Sequence, residues 1–268
     1  MGECTRDHYA DSGTDAVGGI SLNFAVAARR SGADRVALVS CTGLDRPGDG
    51  IRQLLGREGV DTTHLHSLPG ATASQAIRVV AGGERIFPAG GYDPGVLATF
   101  HLDEDDSAFV GTFDIVVAPY FRQIKHLFDA AMRAAAGDAK RVADLLDGED
   151  LGTDLSGLDA LLDTLDVVFI SGDDGTVEHL LPRSRQTRTI IVVTHGANGS
   201  SALAGGIRHF APAVPVPIDE RIDTTGCGDA FQGAFTVEYY RHDDLARALR
   251  AGAVRAATVI RHYGATGA

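Results

Sequence analysis

The chain predicts an α/β fold: a central, mostly parallel β-sheet with helices on both faces, and a small β lid. Three observations carry this. Apolar runs at 114–118, 141–145, 166–171 and 189–194 have the length and composition of buried strands. Helix-patterned segments at 123–136, 155–165 and 176–181 separate or follow them, which is the rhythm of parallel strands joined by crossovers. The segment 72–87 breaks that rhythm, because two β-rich runs flank Gly82-Gly83 and read as a hairpin.

Taken in order, the chain opens with Gly2…Asp7, a glycine-to-carboxylate segment that a strand would normally feed; a first strand is therefore expected to be absent from the sequence given. Gly18-Gly19 permits close backbone approach before a short helix, which carries Asn23 and stops at Gly32. Residues 35–41 read as a buried strand, 47–58 as an amphipathic helix and Val60-Asp61 as a short extended piece. Residues 8–16 and 72–92 are expected to build the lid, inserted in a single domain spanning 1–268. Asp103, Glu104, Asp105 and Asp106 read as a solvated first helical turn. A glycine-rich turn, Thr194 to Gly199, follows the last parallel strand, where ligands bind in such sheets. The final helix, from Asp243 to about Tyr263, carries Arg247, Arg250, Arg255 and Arg261 on what reads as a solvated face.

Composition narrows the function. A net charge of −12 argues against a nucleic-acid partner. No stretch of the sequence nears 18 consecutive apolar residues, so a soluble, cytoplasmic protein without a membrane partner is expected. The three cysteines, Cys4, Cys41 and Cys227, are widely spaced and lack a C-x-x-C pair, so reduced thiols are expected. His64-Leu65-His66 lacks a matching carboxylate partner in a recognisable ligand pattern, so no metal is assigned to it. The strings of a Walker A loop, a G-x-S-x-G elbow and a G-x-G-x-x-G dinucleotide turn are absent from the sequence, which sets aside the corresponding hydrolase and oxidoreductase readings.

The chemistry concentrates at Asp223-Thr224-Thr225-Gly226-Cys227-Gly228-Asp229-Ala230-Phe231. Gly226 to Asp229 reads as the first turn of a buried helix, whose leading N–H groups have no helical acceptor and sit at the positive end of its dipole. Glycines let a phosphate approach those groups, with the Asp229 carboxylate at the lip. The dipole is expected to keep Asp229 ionised.

These pieces, in this order (Gly2…Asp7, Gly18-Gly19-x-x-x-Asn23, Thr194-x-Gly196-x-x-Gly199 and the 223–231 string), resemble the ribokinase (PfkB) family of carbohydrate kinases. The resemblance implies a ribokinase-like fold and transfer of phosphate from ATP to a sugar hydroxyl. It implies that Asp229 is the catalytic base and that Gly226, Cys227 and Gly228 form the anion hole. Asp7, Gly18, Gly19 and Asn23 would hold the sugar. Thr194, Gly196 and Gly199 would line the nucleotide, with Ala257 and Gly264 nearer the adenine. Asp174, one methylene shorter than the family's Glu, stands where Mg2+ is organised through water, and Asp223 and Thr225 stand where some members bind a monovalent cation such as K+. Cys227 replaces a commoner alanine, and its thiol suggests oxidant sensitivity.

Within the family the likeness is to fructoselysine 6-kinases, carried by the 92–97 segment, Ser171 in place of Asn, and the ending His262-Tyr263-Gly264-Ala265. It implies a sugar–amine acceptor, with Tyr92, Tyr120 and Arg122 near it. Fructose, ribose or a nucleoside as acceptor, and a non-catalytic sugar- or nucleotide-binding relative, are the alternatives. A homodimer paired through the lid edges is also expected.

Overall fold

The computed structural model describes residues 1–152 and 155–267. The chain runs β1 (Thr5–Tyr9), β2 (Thr14–Gly18), α1 (Ile20–Arg30), β3 (Ser40–Gly43), α2 (Arg46–Glu58), β4 (Leu65–Leu68), β5 (Ser74–Val79), β6 (Arg85–Ile86), β7 (Tyr92–Asp93) and α3 (Glu104–Val110). It continues β8 (Ile115–Pro119), α4 (Lys125–Ala134), β9 (Lys140–Asp144), α5 (Asp159–Leu162), β10 (Val167–Ser171), α6 (Asp174–Leu180), β11 (Ile190–Thr194), β12 (Ser200–Ala204), β13 (Ile207–Ala211), α7 (Cys227–His242) and α8 (Leu245–Val259).

The main sheet has the order β13-β12-β11-β10-β9-β8, with β8 to β11 parallel and β12 and β13 antiparallel. Its strands are continuous apolar runs because both faces are covered. Side chains alternate along a strand, so Val168 and Ile170 join the core beneath α4 and α6, while Val167 and Phe169 pack toward α7 and α8. Phe169 meets Phe235 of α7 edge-to-face at 5.4 Å between ring centres. Helix α7 is buried from Ala230 to Thr236, since α1 and α8 cover what the sheet does not.

The lid is a second sheet of order β2-β1-β5-β6, with β7 added to β5. The hairpin expected at 72–87 is β5–β6, and 8–16 falls within the β1–β2 hairpin. A third, two-stranded parallel pair joins β3 to β4.

Two expectations need correction. The run at 35–41 is mostly not regular strand: β3 starts at Ser40, and before it only a single bridge, Ala37 to Asp61, pairs with the following segment. Val36, Ala37 and Val39 instead line a slot between α1, α7 and β8, with Phe24 and Val116, while Leu38 packs into the core beside Leu22, Ile51 and Leu55. Beside it the Met1 amino group donates to the Val117 carbonyl at 2.6 Å and the Gly2 N–H to that of Val39. The long helix expected at 155–165 is a 3₁₀ turn, Ser156–Leu158, running into the single turn of α5. Among the described residues no helix is long and apolar enough to cross a membrane.

Candidate active site

The parallel strands end together: Pro119 is opposite Asp144, Phe169 opposite Asp144, and Ser171 opposite Thr194. Beyond them lies the start of α7. Gly226 caps this helix with φ +77° and no side-chain cap. A Cβ at Gly226 would meet the Ala265 methyl at 2.0 Å, so both the left-handed backbone and the close packing require glycine. Cys227 N–H donates to the Thr224 carbonyl and Ala230 N–H to that of Gly226. The N–H groups of Gly228 and Asp229 find no acceptor among the described residues. A Cβ on Gly228 would meet nothing within 4 Å, so open space lies over the helix start. This is an uncapped positive helix end able to take an anion.

Asp229 faces the lid side. Its Oδ2 accepts from Asn23 Nδ2 at 2.8 Å, while Asn23 Oδ1 is buried without a partner. Asn23 is placed there because α1 begins directly after Gly18-Gly19 and packs along α7. Asp7, on β1, accepts from Thr5 Oγ1 at 2.6 Å. A Cβ on Gly18 would lie 2.0 Å from Asp7 Oδ2, so the carboxylate crosses this strand end only because the residue is glycine. A Cβ on Gly19 would lie 2.8 Å from Cys4 Cα and 2.9 Å from Thr5 N, so this position also packs against backbone. The fold thus brings Asp7, Gly18, Gly19, Asn23, Gly226, Cys227, Gly228 and Asp229 into one neighbourhood.

The electrostatics differ from the expectation that the dipole keeps Asp229 ionised. Burial, reinforced by Asp144, raises its carboxyl to about 7 against the Asn23 hydrogen bond and the field of Arg85. Asp7 is likewise raised to about 7, by burial and by the charges of Glu3, Asp229 and Asp223. Desolvation outweighs the half-charge of a helix end. Cys227 also departs from expectation: burial pushes its thiol up to about 12, and Sγ points to the Ala256 carbonyl. A thiol held protonated is a poor nucleophile, which removes the basis for oxidant sensitivity.

Several residues of this site are missed by sequence reasoning. Glu3 is buried, its Oε1 accepts from Ile20 N–H, and Oε2 has no hydrogen-bond partner. Beside it lies Tyr92, which the sequence already places near the acceptor: it packs edge-to-face on Phe121, and its buried hydroxyl is set against the Glu3 carboxyl. Asp144, at the carboxyl end of β9, is buried, with its carboxyl raised by desolvation; Gln232 Oε1 is buried and unpaired. Asp144 had a signal: a carboxylate ending an otherwise apolar strand lies where parallel sheets bind ligands. The lid supplies Arg85, whose N–H donates to Thr224 Oγ1 and whose guanidinium donates to the Thr224 carbonyl, each at 3.0 Å. Thr224 N–H donates in turn to the Gly83 carbonyl, so the hairpin tip is tied to the 223–225 segment. Tyr120 packs on Phe128 and Arg122 binds Asp150, which engages both outside this group.

Thr194, Gly196 and Gly199 form the turn after β11, with Gly199 at φ +103° against the Ala211 carbonyl. Beside it is a groove lined by Gly172, Asp173, Asp174, His195, Asn198 and Arg208. Ala257 and Gly264 are not part of that lining; Gly264 lies beside the start of α7, its N–H donating to Asp223 Oδ2. Asp174 is exposed and its Oδ1 binds Arg208 at 2.7 Å, while Asp173 caps α6 through Thr176. One oxygen of each carboxylate is engaged, Asp174 Oδ1 by Arg208 and Asp173 Oδ1 by Thr176, and the exposed Asp174 keeps Oδ2 toward the groove as the oxygen that could meet a Mg2+-bound water. Asp223 is fully buried and accepts from Tyr9 Oη (2.5 Å), Thr225 N (2.8 Å) and Gly264 N (3.0 Å), which occupies both its oxygens; Thr225 Oγ1 is left unpaired.

Known proteins place this geometry. The chain is 30% identical over 271 residues to the fructoselysine 6-kinase of Escherichia coli (strain K12), covering 99% of this chain and 97% of that one. It is 27% identical to the ribokinase of Haemophilus influenzae, over 93% of this chain and 83% of that one. The crystal structure of adenosine kinase from Sinorhizobium meliloti superposes with a TM-score of 0.80 at 21% identity, over 98% of this chain and 86% of that one, so the fold is ribokinase-like. Residues 4–268 match the pfkB family of carbohydrate kinases, so the chain belongs to this family and is a phosphotransferase.

Proposed function

We propose that this sugar kinase transfers the γ-phosphoryl group of ATP to the terminal hydroxyl of a fructosamine, a sugar joined to an amine. The observation that carries the reading is the Asn23–Asp229 pair at the uncapped start of α7, which puts a carboxyl and an anion cradle side by side. Asp229 takes the proton of the acceptor hydroxyl as that oxygen bonds to phosphorus; the bond from phosphorus to the ADP oxygen breaks, and ADP leaves with the electron pair. The N–H groups of Gly228 and Asp229 stabilise the charge on the moving phosphoryl group. ATP, usually with Mg2+, is the donor expected of the family. Asp174 is engaged by Arg208, so no step is assigned to it.

The acceptor class rests on charge. Glu3, Asp7, Asp144 and Asp229 make an acidic, largely buried group; Asn23 Oδ1 lacks a partner within the protein, and Glu3 Oε2 and Tyr92 Oη, set against each other, form no hydrogen bond of good geometry. Buried polar atoms of this kind are satisfied by a ligand's donors. Hydroxyls plus a protonated amine suit an acid-lined pocket better than a neutral sugar does. The fructoselysine 6-kinase relative supports the same reading.

The test is ADP release over fructosamines, fructose, ribose and nucleosides. A fructosamine is expected to give the highest kcat/KM. Preference for ribose or a nucleoside would overturn the acceptor class. Acceptor binding by calorimetry without ADP release would instead support a non-catalytic relative.

A further inference from the structure

The fold joins two sequence features that are far apart in the chain. His64 lies just before β4 and His66 within it, so the two rings, two residues apart, stand on one face of extended chain. That face meets the first turn of α3. Asp106, which the sequence places on a solvated turn, is instead 1% exposed. Its Oδ1 lies 2.7 Å from His64 Nδ1 and 2.8 Å from His66 Nε2. The carboxylate is oriented by a reciprocal cap: Oδ2 accepts from Asp103 N–H, and Asp106 N–H donates to Asp103 Oδ1 at 2.7 Å. The rings are held as well, since His64 stacks on Phe109 at 4.0 Å and His66 lies 5.3 Å from Phe100. One atom from each of the three side chains lies within 4.8 Å of the other two.

We propose that His64, His66 and Asp106 form a binding site for a divalent transition ion of the zinc class, which staples α3 to β4. Two imidazoles and one carboxylate are a borderline-soft donor set; Mg2+ and Ca2+ favour oxygen alone. Three protein ligands leave a fourth position for water, as in open zinc sites. Tetrahedral bonds of about 2.0–2.1 Å put ligand atoms roughly 3.3 Å apart, so both nitrogens need withdraw from Oδ1 by only about half an ångström. Each ring binds as neutral imidazole through the lone pair of its facing nitrogen: a proton on that nitrogen moves to the other ring nitrogen by exchange with water, and the hydrogen bonds to Oδ1 give way to metal bonds. The site shares no residue with the Asp229 neighbourhood, so it does not depend on the acceptor reading.

The experiment uses tag-free, metal-stripped protein titrated with Zn2+ against a chromophoric chelator, with melting curves with and without Zn2+. One Zn2+ per chain is expected, with a melting temperature raised by roughly 5 °C at 100-fold excess over Kd. His66→Gln and Asp106→Asn are each expected to weaken binding at least tenfold and abolish the rise, while Asp229→Asn retains both. Failure of the wild type to bind Zn2+, or binding unchanged in both variants, overturns the proposal. Should the variants not fold, Co2+-loaded wild type decides: four-coordinate visible absorption with two imidazoles by X-ray absorption supports the site, and its absence overturns it.

Discussion

Replacing Asp229 by Asn should abolish turnover and stabilise the protein. The amide has the shape of the carboxyl, and its oxygen still accepts from Asn23 Nδ2, so the packing at α7 is retained. Loss of a general base costs roughly 10²–10⁴-fold in kcat. The stability effect follows from burial. The carboxyl is raised from 3.8 to about 7 in the folded chain, so between those values the folded state keeps a proton that the unfolded state has released. Stability contributed by this group is therefore greatest at low pH, falls as pH rises toward 7, and is fully lost above it. The gap of roughly three pH units, at about 1.36 kcal/mol each, sets a ceiling near 4 kcal/mol, and relaxation with water entry brings the expected value to about 1–3 kcal/mol. Asp229→Asn removes that cost. At pH 8 it should melt about 2–5 °C above wild type, and at pH 5 by less than half as much. Melting curves at pH 5, 6.5 and 8 and an ADP-release assay make the check. A variant that melts no higher at pH 8, or that keeps activity within tenfold of wild type, refutes the reasoning. The same carboxyl should give wild-type kcat/KM an acidic limb centred near pH 7.

Three further outcomes follow from individual contacts. Gly18→Ala drives a methyl into Asp7, and acceptor KM should rise at least about tenfold with a smaller change in ATP KM, measured by steady-state kinetics. Arg85→Ala removes the positive charge that opposes protonation of Asp229, so the acidic limb of the pH–rate profile should move to higher pH; an unmoved limb would place Arg85 outside the field of the site. Cys227, with its thiol pushed up to about 12, should react with an alkylating reagent at neutral pH at least about tenfold more slowly than a free thiol such as glutathione, followed by mass spectrometry.

Much of the fold was legible because local pattern and tertiary demand agree. The runs around Val168 and Ile191 are apolar on both faces because helices cover both, and continuous runs of that length mark parallel strands. The glycine-led start of α7 was legible for the same reason: Gly226 answers to a left-handed backbone and a close neighbour at once. Residues 35–41 misled, since an apolar run reports burial without reporting ladder pairing, and here the buried side chains line a slot. The acidic turn at Asp103 to Asp106 misled in the opposite sense. Three of its carboxyls satisfy the helix start or face water, but the helical repeat turns Asp106 inward onto two histidines some forty residues earlier, a pairing no local pattern encodes.

The candidate site shows why motif and environment have to be weighed together. The 223–231 string identifies an anion cradle and a carboxylate, and a helix end alone would argue for an ionised Asp229. The fold then surrounds that carboxylate with Glu3, Asp7 and Asp144 and brings in Arg85 from the lid. A helix terminus contributes about half a charge to a partly exposed group, whereas several buried carboxyls competing for ionisation each make the next proton harder to remove. Asp229 is thus poised near neutrality, where a base both holds and releases a proton readily. A cationic acceptor entering this pocket would neutralise part of that repulsion and draw Asp229 toward its ionised form as it binds. With such an acceptor, binding and activation of Asp229 as a base would be one electrostatic event. A neutral sugar offers no such compensation, so the acidic limb measured with a fructosamine at saturation should lie below that of the free enzyme, while the limb measured with fructose should not move.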